Sequence, residues 1–565
     1  MQNQHRPGRL GPAILFAAVL AGCASAPTPP LAAAPQGPVS VKVLAINDFH
    51  GNLKPPLGGI RIKDPANPGK TVNVDAGGVE YLATAVAEAR ARNPNHIVVA
   101  AGDIISATPL LSALFHDEPT VEAMGVLGLE ASAVGNHEFD KGIKELQRMQ
   151  QGGCHPTDGC KGPAPFKGAA YQYLAASTVD VATGKTVFPP YHVKTFQGIP
   201  VAFIGLTLEA TPTMVVPAGV AGLKFRNEAE TVNALVPELR AQGIEAIVVL
   251  IHEGGIPAGD YNECPGISGP IVDVVKKLDK AVDLVISGHT HRAYNCRIDG
   301  RLVTSADKYG TVLTEIDLVL DPATRDVLSA SANNLLVRND RFAKDPRETA
   351  LIAGYDAKAS VLSRRVVGSI TAPLGRDANR AGEHVLGELI ADAQLEATQE
   401  AGAQIALMNP GGIRAALGRN PDGQVRYEDI FSVQPFYNNM VTVTLTGAQL
   451  LTLLEQQWRG QVEGEISHRI MQVSRGFSYT WDAAAPVGQR IVPGSVKLNG
   501  VAIEAAGRYR VSVNAFMASG GDNFVALKEG TDRVTGMMDI DALEVYLQKH
   551  PNVTPGPLNR VARLN

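Results

Sequence analysis

Polar side chains follow five apolar runs of the sequence, each at the point where a strand is expected to end. The turns are Asn47-Asp48-Phe49-His50, Gly102-Asp103, Gly135-Asn136-His137-Glu138, His252-Glu253 and Gly288-His289-Thr290-His291. Carboxylate, amide and imidazole donors without any thiol favour a hard-to-borderline divalent cation. The donors outnumber the ligands of one tetrahedral ion. The pattern therefore predicts two cations, held roughly 3.5–4 Å apart by a shared carboxylate.

The apolar runs have the composition of strands that are buried on both faces of a sheet. The five runs cover residues 41–46, 96–101, 131–135, 246–251 and 282–287, and a sixth run of the same kind covers residues 201–207. Amphipathic stretches between them, such as "GGVEYLATAVAEARARN" and "NEAETVNALVPELRAQG", predict helices. This alternation predicts a layered α/β domain, in which ligands bind at the carboxyl ends of the strands. Donors scattered over the sequence are thus expected to converge.

Length and composition predict a globular chain of two to four domains. The chain has 565 residues, of which 45% are hydrophobic and 19% charged. A formal net charge of −5 argues against a broad nucleic-acid-binding face. The pattern changes near residue 338, where a polar, helix-prone stretch over 341–365 predicts a connecting helix. Residues 366–565 then mix strand-like and helical runs, which predicts a second, smaller α+β domain.

The N-terminus has the layout of a secretory signal peptide over residues 1–22, because two arginines precede a short apolar run. Leu20-Ala21-Gly22-Cys23 resembles a bacterial lipobox, which implies cleavage before Cys23 and lipidation of that residue. The alternative is an ordinary signal peptide. The resemblance implies an exported protein that a lipid anchors to a bacterial outer membrane, facing the periplasm or the outside. Residues 23–39 are Pro/Ala-rich and predict an extended tether.

Four further cysteines remain, an even number that suits an oxidising compartment. Cys154 and Cys160 bracket the turn "HPTDG", and Cys264 and Cys296 lie in two polar loops. The spacing predicts two disulfides, Cys154–Cys160 and Cys264–Cys296.

Taken together, the five turns resemble the complete motif set of the calcineurin-like metallophosphatases in order and spacing. The motifs "NDFHG" and "GNHEFD", with "NPGGIR" and "ASGGDNF" in the C-terminal half, narrow the resemblance to the secreted 5′-nucleotidase family. It covers essentially the whole mature chain. It implies an α/β-sandwich metallophosphatase domain over 40–340, a hinge helix over 341–365 and a substrate-binding domain over 366–565.

The resemblance implies two divalent metal ions, such as Zn, Mn or Co, and assigns their ligands. The expected ligands are Asp48, His50 and His291 for one ion, Asn136, His252 and His289 for the other, and Asp103 for both. His137 is expected near the leaving-group or transition-state oxygens, where Asp140 orients it. The alternative for His137 is a structural role, and Glu138 is expected to be structural.

The C-terminal half is expected to recognise the substrate. By resemblance, the contacting residues are Arg376, Arg380, Asn409, Gly411, Gly412, Arg414, Phe436, Phe516 and Asp522. The two phenyl rings would clamp a nucleobase, and Asp522 would accept hydrogen bonds from ribose hydroxyls. Arg376 and Arg380 are four residues apart, so they would share one face if the segment is helical.

The implied activity is release of phosphate from nucleoside 5′-monophosphates by a hydroxide that two cations generate from water. The resemblance also allows UDP-sugars and nucleoside di- and triphosphates as substrates. One alternative on the same scaffold is a 2′,3′-cyclic-nucleotide phosphodiesterase with 3′-nucleotidase activity, although those relatives tend to have Asn in place of Asp140. The non-enzyme alternative is a surface lipoprotein that only binds nucleotides. No oligomeric state follows from these motifs.

Overall fold

A computed structural model of the chain describes residues 37–458 and 469–565. The predicted signal peptide, Cys23 and most of the predicted tether lie outside the described residues. Within the described part, no helix is both long enough and apolar enough to cross a bilayer.

The N-terminal half alternates strands and helices, as the apolar runs predict. Its strands are β1 (Val39–Ile46), β2 (Ile60–Asp64), β3 (Asn67–Val74), β4 (His96–Ala100), β5 (Ala131–Ala133), β6 (Gln172–Leu174), β7 (Thr178–Asp180), β8 (Tyr191–Phe196), β9 (Ile199–Thr207), β10 (Leu223–Phe225), β11 (Ala246–His252), β12 (Val282–Ser287), β13 (Ala293–Ile298), β14 (Arg301–Ala306), β15 (Val312–Leu320) and β16 (Val327–Leu336). Its helices are α1 (Val79–Ala91), α2 (Leu110–Ala113), α3 (Glu118–Leu127), α4 (Ile143–Gln151), α5 (Glu228–Ala241) and α6 (Pro270–Lys277).

Two six-stranded sheets form the centre of this half. Their strand orders are β16-β15-β1-β4-β5-β6 and β13-β14-β12-β11-β9-β8. Alternate residues of a strand face opposite sides of its sheet. Val43 of β1 therefore packs into a core shared with Val201 and Val248 of the other sheet. Leu44 instead packs against helices α1 and α3, and the second sheet is covered on its outer face by α5 and α6. The layers are thus α/β/β/α.

The parallel strands bring the predicted metal-binding turns to one place. Strand β1 pairs in parallel with β4, and β4 with β5. In the other sheet β11 pairs in parallel with β9 and with β12. Each of β1, β4, β5, β11 and β12 ends at, or shortly before, one of the polar turns. The face-to-face packing of the two sheets then sets these strand ends beside each other.

Helix α7 (Pro346–Ser363) follows within the stretch where a connecting helix is expected. Asp345 caps its start by accepting a hydrogen bond from the backbone N–H of Arg347, and Pro346 occupies the first helical position, where no N–H donor is needed.

The C-terminal half mixes short strands and helices around its own apolar core. Its strands are β17 (Val366–Ser369), β18 (Ile405–Met408), β19 (Gln424–Arg426), β20 (Asn439–Thr446), β21 (Gln472–Val473), β22 (Phe477–Asp482), β23 (Lys497–Leu498), β24 (Val501–Ala502), β25 (Arg508–Asn514), β26 (Thr531–Met538) and β27 (Val561–Leu564). Its helices are α8 (Val385–Ala397), α9 (Tyr427–Val433), α10 (Gly447–Glu455), α11 (Ala515–Ala518) and α12 (Asp539–Lys549). A five-stranded sheet, β21-β18-β25-β20-β26, is mainly antiparallel. The predicted combination of an α/β-sandwich domain and an α+β domain is confirmed.

Residues 376–380 are not helical, so the condition under which Arg376 and Arg380 would share a helix face is not met. The Asn379 side chain accepts hydrogen bonds from the backbone N–H groups of Ala381 and Glu383, which forms a turn. Helix α8 begins only at Val385.

Two disulfides cross-link the N-terminal half. Cys154 is bonded to Cys160, which closes a short loop after α4, and Cys264 is bonded to Cys296 of β13. These are the two pairs expected from the sequence.

Candidate metal centre

The polar turns hold their side chains on a strained backbone. The five residues Asp48, His50, Asp103, His289 and His291 all have positive φ angles, between 45° and 71°. Non-glycine residues adopt this left-handed region rarely, and such strain is concentrated at functional sites. Hydrogen bonds keep the turns in place: the N–H of Asp48 donates to Gly102 O (3.0 Å), and the N–H of His50 to Asp103 O (3.0 Å).

One donor group consists of Asp48, His50 and His291. The Nε2 atoms of His50 and His291 lie 3.2 Å apart, and His291 Nε2 lies 3.3 Å from Asp48 Oδ1. Asp48 Oδ2 accepts hydrogen bonds from Asn47 Nδ2 (2.7 Å) and from the N–H of His289 (2.9 Å). Asp48 Oδ1 is buried without any hydrogen-bond partner. The carboxylate is thus fixed through one oxygen while the other faces the two imidazoles.

The second donor group consists of Asp103, His252 and His289. Asp103 Oδ2 lies 2.9 Å from His252 Nε2 and 3.7 Å from His50 Nε2, so this one carboxylate reaches both groups. Its Oδ1 accepts a hydrogen bond from the N–H of His137 (2.9 Å). Asn136, the expected amide donor, is buried, and its Oδ1 has no hydrogen-bond partner.

Backbone carbonyls fix the orientation of two rings. Nδ1 of His50 lies 2.9 Å from Ser106 O, and Nδ1 of His252 lies 2.8 Å from Ala101 O. A neutral ring that donates from Nδ1 carries its lone pair on Nε2. With neutral rings, His50 Nε2 faces His291 Nε2 (3.2 Å) and His252 Nε2 faces Asp103 Oδ2 (2.9 Å), and a cation bound by each pair would relieve the contact. The donor set of these two groups therefore fits two divalent ions.

Burial and neighbouring charge set the protonation of the imidazoles. Burial lowers the pKa of His50 and His291 well below the usual range, and lowers that of His289 to about 4. Burial would also lower the pKa of His252, but the Asp103 carboxylate raises it to about 10. Metal ligands must be deprotonated, so a cation at the second group competes with the His252 proton for Nε2.

Glu138 holds two of the turns together. Its carboxylate accepts hydrogen bonds from the N–H groups of Asp103 (3.0 Å), Ile104 (2.7 Å) and Gly135 (2.7 Å). Burial, followed by the charge of Asp103, raises the pKa of Glu138 to about 8. The side chain is buried and its carboxylate is occupied by backbone donors, which agrees with the structural role expected from the sequence.

His137 lies between the metal centre and an interdomain cleft. Its Nδ1 is 2.8 Å from Asp140 Oδ2, its ring centroid is 5.2 Å from that of His50, and it stacks on Phe436 at 5.8 Å. Burial lowers the pKa of His137, but the carboxylates of Asp140 and Asp103 outweigh that effect and raise it. The imidazolium form is therefore favoured beside the cleft.

The cleft has a volume of about 560 Å³ and is lined by both halves of the chain. Of the predicted site residues, the cleft wall contains Asn136, His137, Asp140, His289, Asn409, Gly411, Gly412, Arg414, Phe436, Phe516 and Asp522. Asp522 accepts a hydrogen bond from Asn409 Nδ2 (2.7 Å), and burial raises its pKa. Polar groups and two phenyl rings thus lie in one cavity that opens onto the metal centre.

The three predicted arginines occupy different places. Arg414 reaches the metal centre, with Nη2 3.3 Å from His50 Nε2. Arg376 donates to Arg414 O (2.8 Å) and lines a second cavity of about 500 Å³, which Arg414 also lines. Arg380 is exposed, lines neither cavity and donates to the backbone O of Asn565 (2.7 Å). In this structure the turn at Asn379 directs Arg380 towards the C-terminus and away from the cleft, and its contact with substrate stays a prediction.

Sequence reasoning missed a sixth strand end. Strand β14 is followed by Asp307, Lys308 and Tyr309, and the Tyr309 ring lies 6.1 Å from that of His50 and 5.9 Å from that of His291. Asp307 O accepts a hydrogen bond from the Asn47 side chain (2.7 Å). A signal was present, because "DKYG" follows a strand as the five other turns do, but that strand, "RLVTSA", contains three polar residues.

Comparison with known proteins agrees with this two-part architecture. Residues 41–293 match the model of the calcineurin-like phosphoesterases, and residues 366–529 match that of the 5′-nucleotidase C-terminal domain. The chain is 31% identical over 518 residues to the endonuclease YhcR of Bacillus subtilis, a match that covers 91% of this chain and 40% of YhcR. It is 30% identical over 553 residues to the cell wall protein Lmo0130 of Listeria monocytogenes, covering 91% of this chain and 68% of that protein.

A solved structure extends the similarity to the fold. The crystal structure of a 5′-nucleotidase precursor from Thermus thermophilus matches with a TM-score of 0.76 at 26% identity. The match covers 93% of this chain and all of that one. With matches to both domain models, similarity along most of its length and two donor groups at its strand ends, this chain belongs to the 5′-nucleotidase family of calcineurin-like metallophosphatases, a family of hydrolases.

Proposed function

We propose that this protein is a dimetal phosphohydrolase that releases phosphate from nucleoside 5′-monophosphates. UDP-sugars and nucleoside di- and triphosphates are further substrates within the proposal. The observation that carries it is Asp103 Oδ2, which reaches both donor groups beside a cleft that contains two phenyl rings and an arginine. The family relationship and the name of the Thermus relative support the same reaction class.

The proposed metal ligands follow the two donor groups. They are Asp48, His50 and His291 for one ion, Asn136, His252 and His289 for the other, and Asp103 for both. When bound, two divalent ions neutralise phosphoryl oxygens and lower the pKa of water. The unpartnered Oδ1 atoms of Asp48 and Asn136 support this assignment, since buried polar atoms seldom lack a partner.

His137 is proposed to act on the reacting phosphoryl group. Its imidazolium donates a hydrogen bond from Nε2 to the transferred group or the leaving oxygen, where negative charge grows in the transition state. Asp140 accepts from Nδ1, which directs Nε2 towards the cleft and favours the protonated ring. Proton donation of this kind contributes about 10²–10⁴-fold to a rate.

The C-terminal half is proposed to bind the nucleoside and the phosphate. Phe436 and Phe516 line the cleft and offer ring faces to a nucleobase, a contact that tolerates every base. Asp522, held by Asn409, offers an acceptor for ribose hydroxyls. Arg414 offers its guanidinium to the phosphate beside the metal centre, and Gly411 and Gly412 permit a close approach of backbone.

We propose the predicted domain limits, with a metallophosphatase domain over 40–340, a hinge over 341–365 and a substrate-binding domain over 366–565. Because substrate contacts both domains, rotation of one against the other about α7 would open and close the cleft. We also propose export with a lipid anchor at Cys23. The two disulfides support an oxidising compartment.

A phosphate-release screen tests the proposal. The purified protein is offered AMP, UDP-glucose, ATP and 2′,3′-cyclic AMP, with and without chelator. We expect AMP turnover that chelator abolishes. Turnover of 2′,3′-cyclic AMP alone would replace the proposal by the cyclic-nucleotide phosphodiesterase. If a metal-loaded sample turns over none of the four substrates, the result would favour the alternative of a lipoprotein that only binds nucleotides.

A further inference from the structure

A further cluster of potential metal ligands lies at the rim of the cleft, outside the metal centre. One ligand atom each of His116, Glu145 and His155 lies within 4.8 Å of the others. Asp158 Oδ2 lies 3.0 Å from His116 Nε2. We propose that these four side chains bind a third divalent ion of the Zn²⁺ class, which clamps the rim of the cleft.

Three separate segments supply the cluster. His116 lies in the turn between α2 and α3, Glu145 lies on α4, and His155 and Asp158 lie within the loop that the Cys154–Cys160 disulfide closes. The rings of His116 and His155 are stacked, with centroids 3.9 Å apart and an interplanar angle of 8°. Two donors on a tetrahedral zinc ion are about 3.3 Å apart. Because the two stacked rings lie in nearly parallel planes, one ring must also turn as the cluster contracts, so that both nitrogens point at one ion.

The local charge leaves room for a cation. Arg148 bridges Glu118 (2.7 Å) and Glu145 (2.7 Å), and Lys161 pairs with Asp158 (2.6 Å). Three carboxylates thus face two basic side chains next to the two imidazoles. Arg148 keeps Glu118 and Gly153 O as partners if Glu145 turns to an ion.

The backbone around His116 is held rigidly. His116 and Asp117 both have positive φ angles, 54° and 65°. The buried Asp117 carboxylate accepts hydrogen bonds from the Thr108 and Ser112 hydroxyls (2.7 Å each). One side of the proposed site is therefore preformed, while the disulfide limits the motion of the other.

The position of the cluster gives the ion a role. His116, Asp158 and Lys161 also line the cleft wall. An ion shared by these segments would tie the disulfide loop to the α2–α3 turn and so fix one rim of the cleft. This role is structural, and it is independent of the proposed reaction, in which none of the four side chains takes part.

Metal counting tests the third site. Metal-free protein is equilibrated with Zn²⁺ buffered at about 10 nM, a concentration that fills sites with the affinity of structural zinc sites, and bound zinc is measured by mass spectrometry. We expect three ions per chain in the wild type and two in His155→Ala. His116→Asn, chosen because Asn tolerates a positive φ, should also bind two. The control His550→Ala removes an exposed histidine that pairs with Glu396 and should still bind three.

The outcomes separate the third site from the proposed reaction. His155→Ala should release phosphate from AMP within about twofold of the wild-type rate, because it lacks only a rim contact. Zn²⁺ should raise the unfolding midpoint of the wild type more than that of His155→Ala. Two zinc ions in the wild type, or three in His155→Ala, would overturn the third site. If the wild type binds three zinc ions and His155→Ala binds two, but neither protein hydrolyses a phosphoester, the third site is retained and the proposed function is rejected.

Discussion

Arg414 Nη2 lies 3.3 Å from His50 Nε2, although the two residues are 364 positions apart and belong to different halves of the chain. Arg414 Nε is buried and has no hydrogen-bond partner. The Arg414 guanidinium thus lies beside a proposed metal ligand and has a free donor. This arrangement suits an anion that binds both the metal centre and the guanidinium. This contact links the metal centre to the C-terminal half, so substrate phosphate is expected to bridge the two.

Replacing Arg414 tests this bridge. Arg414→Ala should lower kcat/KM for AMP by about 10–100-fold, because hydrogen bonds to charged groups contribute about 1.5–3 kcal/mol. Arg414→Lys keeps the charge but loses the planar fork, and should recover only part of the loss. The control Arg508→Ala removes an exposed arginine that pairs with Asp532. Unchanged kcat/KM in Arg414→Ala would show that phosphate does not contact this residue.

The His137–Asp140 pair should affect the rate without affecting metal content. We expect His137→Ala to lower kcat for AMP by about 10²–10⁴-fold, since it removes the proton donor. Asp140→Asn should lower kcat less, because the ring remains but its pKa falls without the neighbouring carboxylate. Kinetics and metal analysis are measured on the same samples. Loss of both ions from His137→Ala would assign the residue to metal binding instead.

Glu138, in contrast to His137, should affect metal binding and stability. In Glu138→Gln an amide N–H₂ replaces one carboxylate oxygen and faces backbone N–H donors that it cannot satisfy. We expect metal affinity to fall by about 10–100-fold, as for other residues that orient metal ligands, together with a lower unfolding midpoint. Glu400→Gln, at an exposed position, is the matched control. Wild-type affinity and stability in Glu138→Gln would contradict the positioning role.

Glu348 should make stability depend on pH. It is fully buried in the first turn of α7, neither carboxylate oxygen has a hydrogen-bond partner, and burial raises its pKa to about 8. The folded state holds a proton that the unfolded chain releases near its ordinary value of 4.5. This contribution to stability is complete below that value and is lost as pH rises through about 8.

Glu348→Gln, which stays neutral, tests this effect. Its free energy of unfolding should exceed that of the wild type at about pH 9, and the difference should shrink towards about pH 5. Glu88→Gln on the exposed face of α1 is the control. Denaturant unfolding at both pH values provides the measurement. A difference between Glu348→Gln and the wild type that does not change with pH would show that Glu348 does not titrate in this range.

The convergence of the donor side chains could be predicted from the sequence because they occupy the ends of parallel strands. Asp48, Asp103 and His252 each follow an apolar run, and the direction of a parallel sheet brings such ends together. The α/β layering follows from the same runs, since strands buried on both faces need helices outside them.

Other features depend on tertiary contacts that no local pattern shows. Arg380 faces the C-terminus because Asn379 makes a turn, and a spacing of four residues from Arg376 carries no information outside a helix. His116 and His155 are 39 positions apart in two polar loops, and only the closed disulfide loop brings their rings into contact. The turn at Tyr309 is harder to recognise because its strand, "RLVTSA", contains three polar residues and is not a near-continuous apolar run.

Metal dependence of phosphate release from AMP tests the central claim most directly. The protein is stripped of metal by chelator, assayed for phosphate release, and assayed again after Zn²⁺, Mn²⁺ or Co²⁺ is restored. The account predicts that release stops in the stripped protein and returns with at least one of these ions. Undiminished release of phosphate from AMP by metal-free protein would contradict a dimetal mechanism.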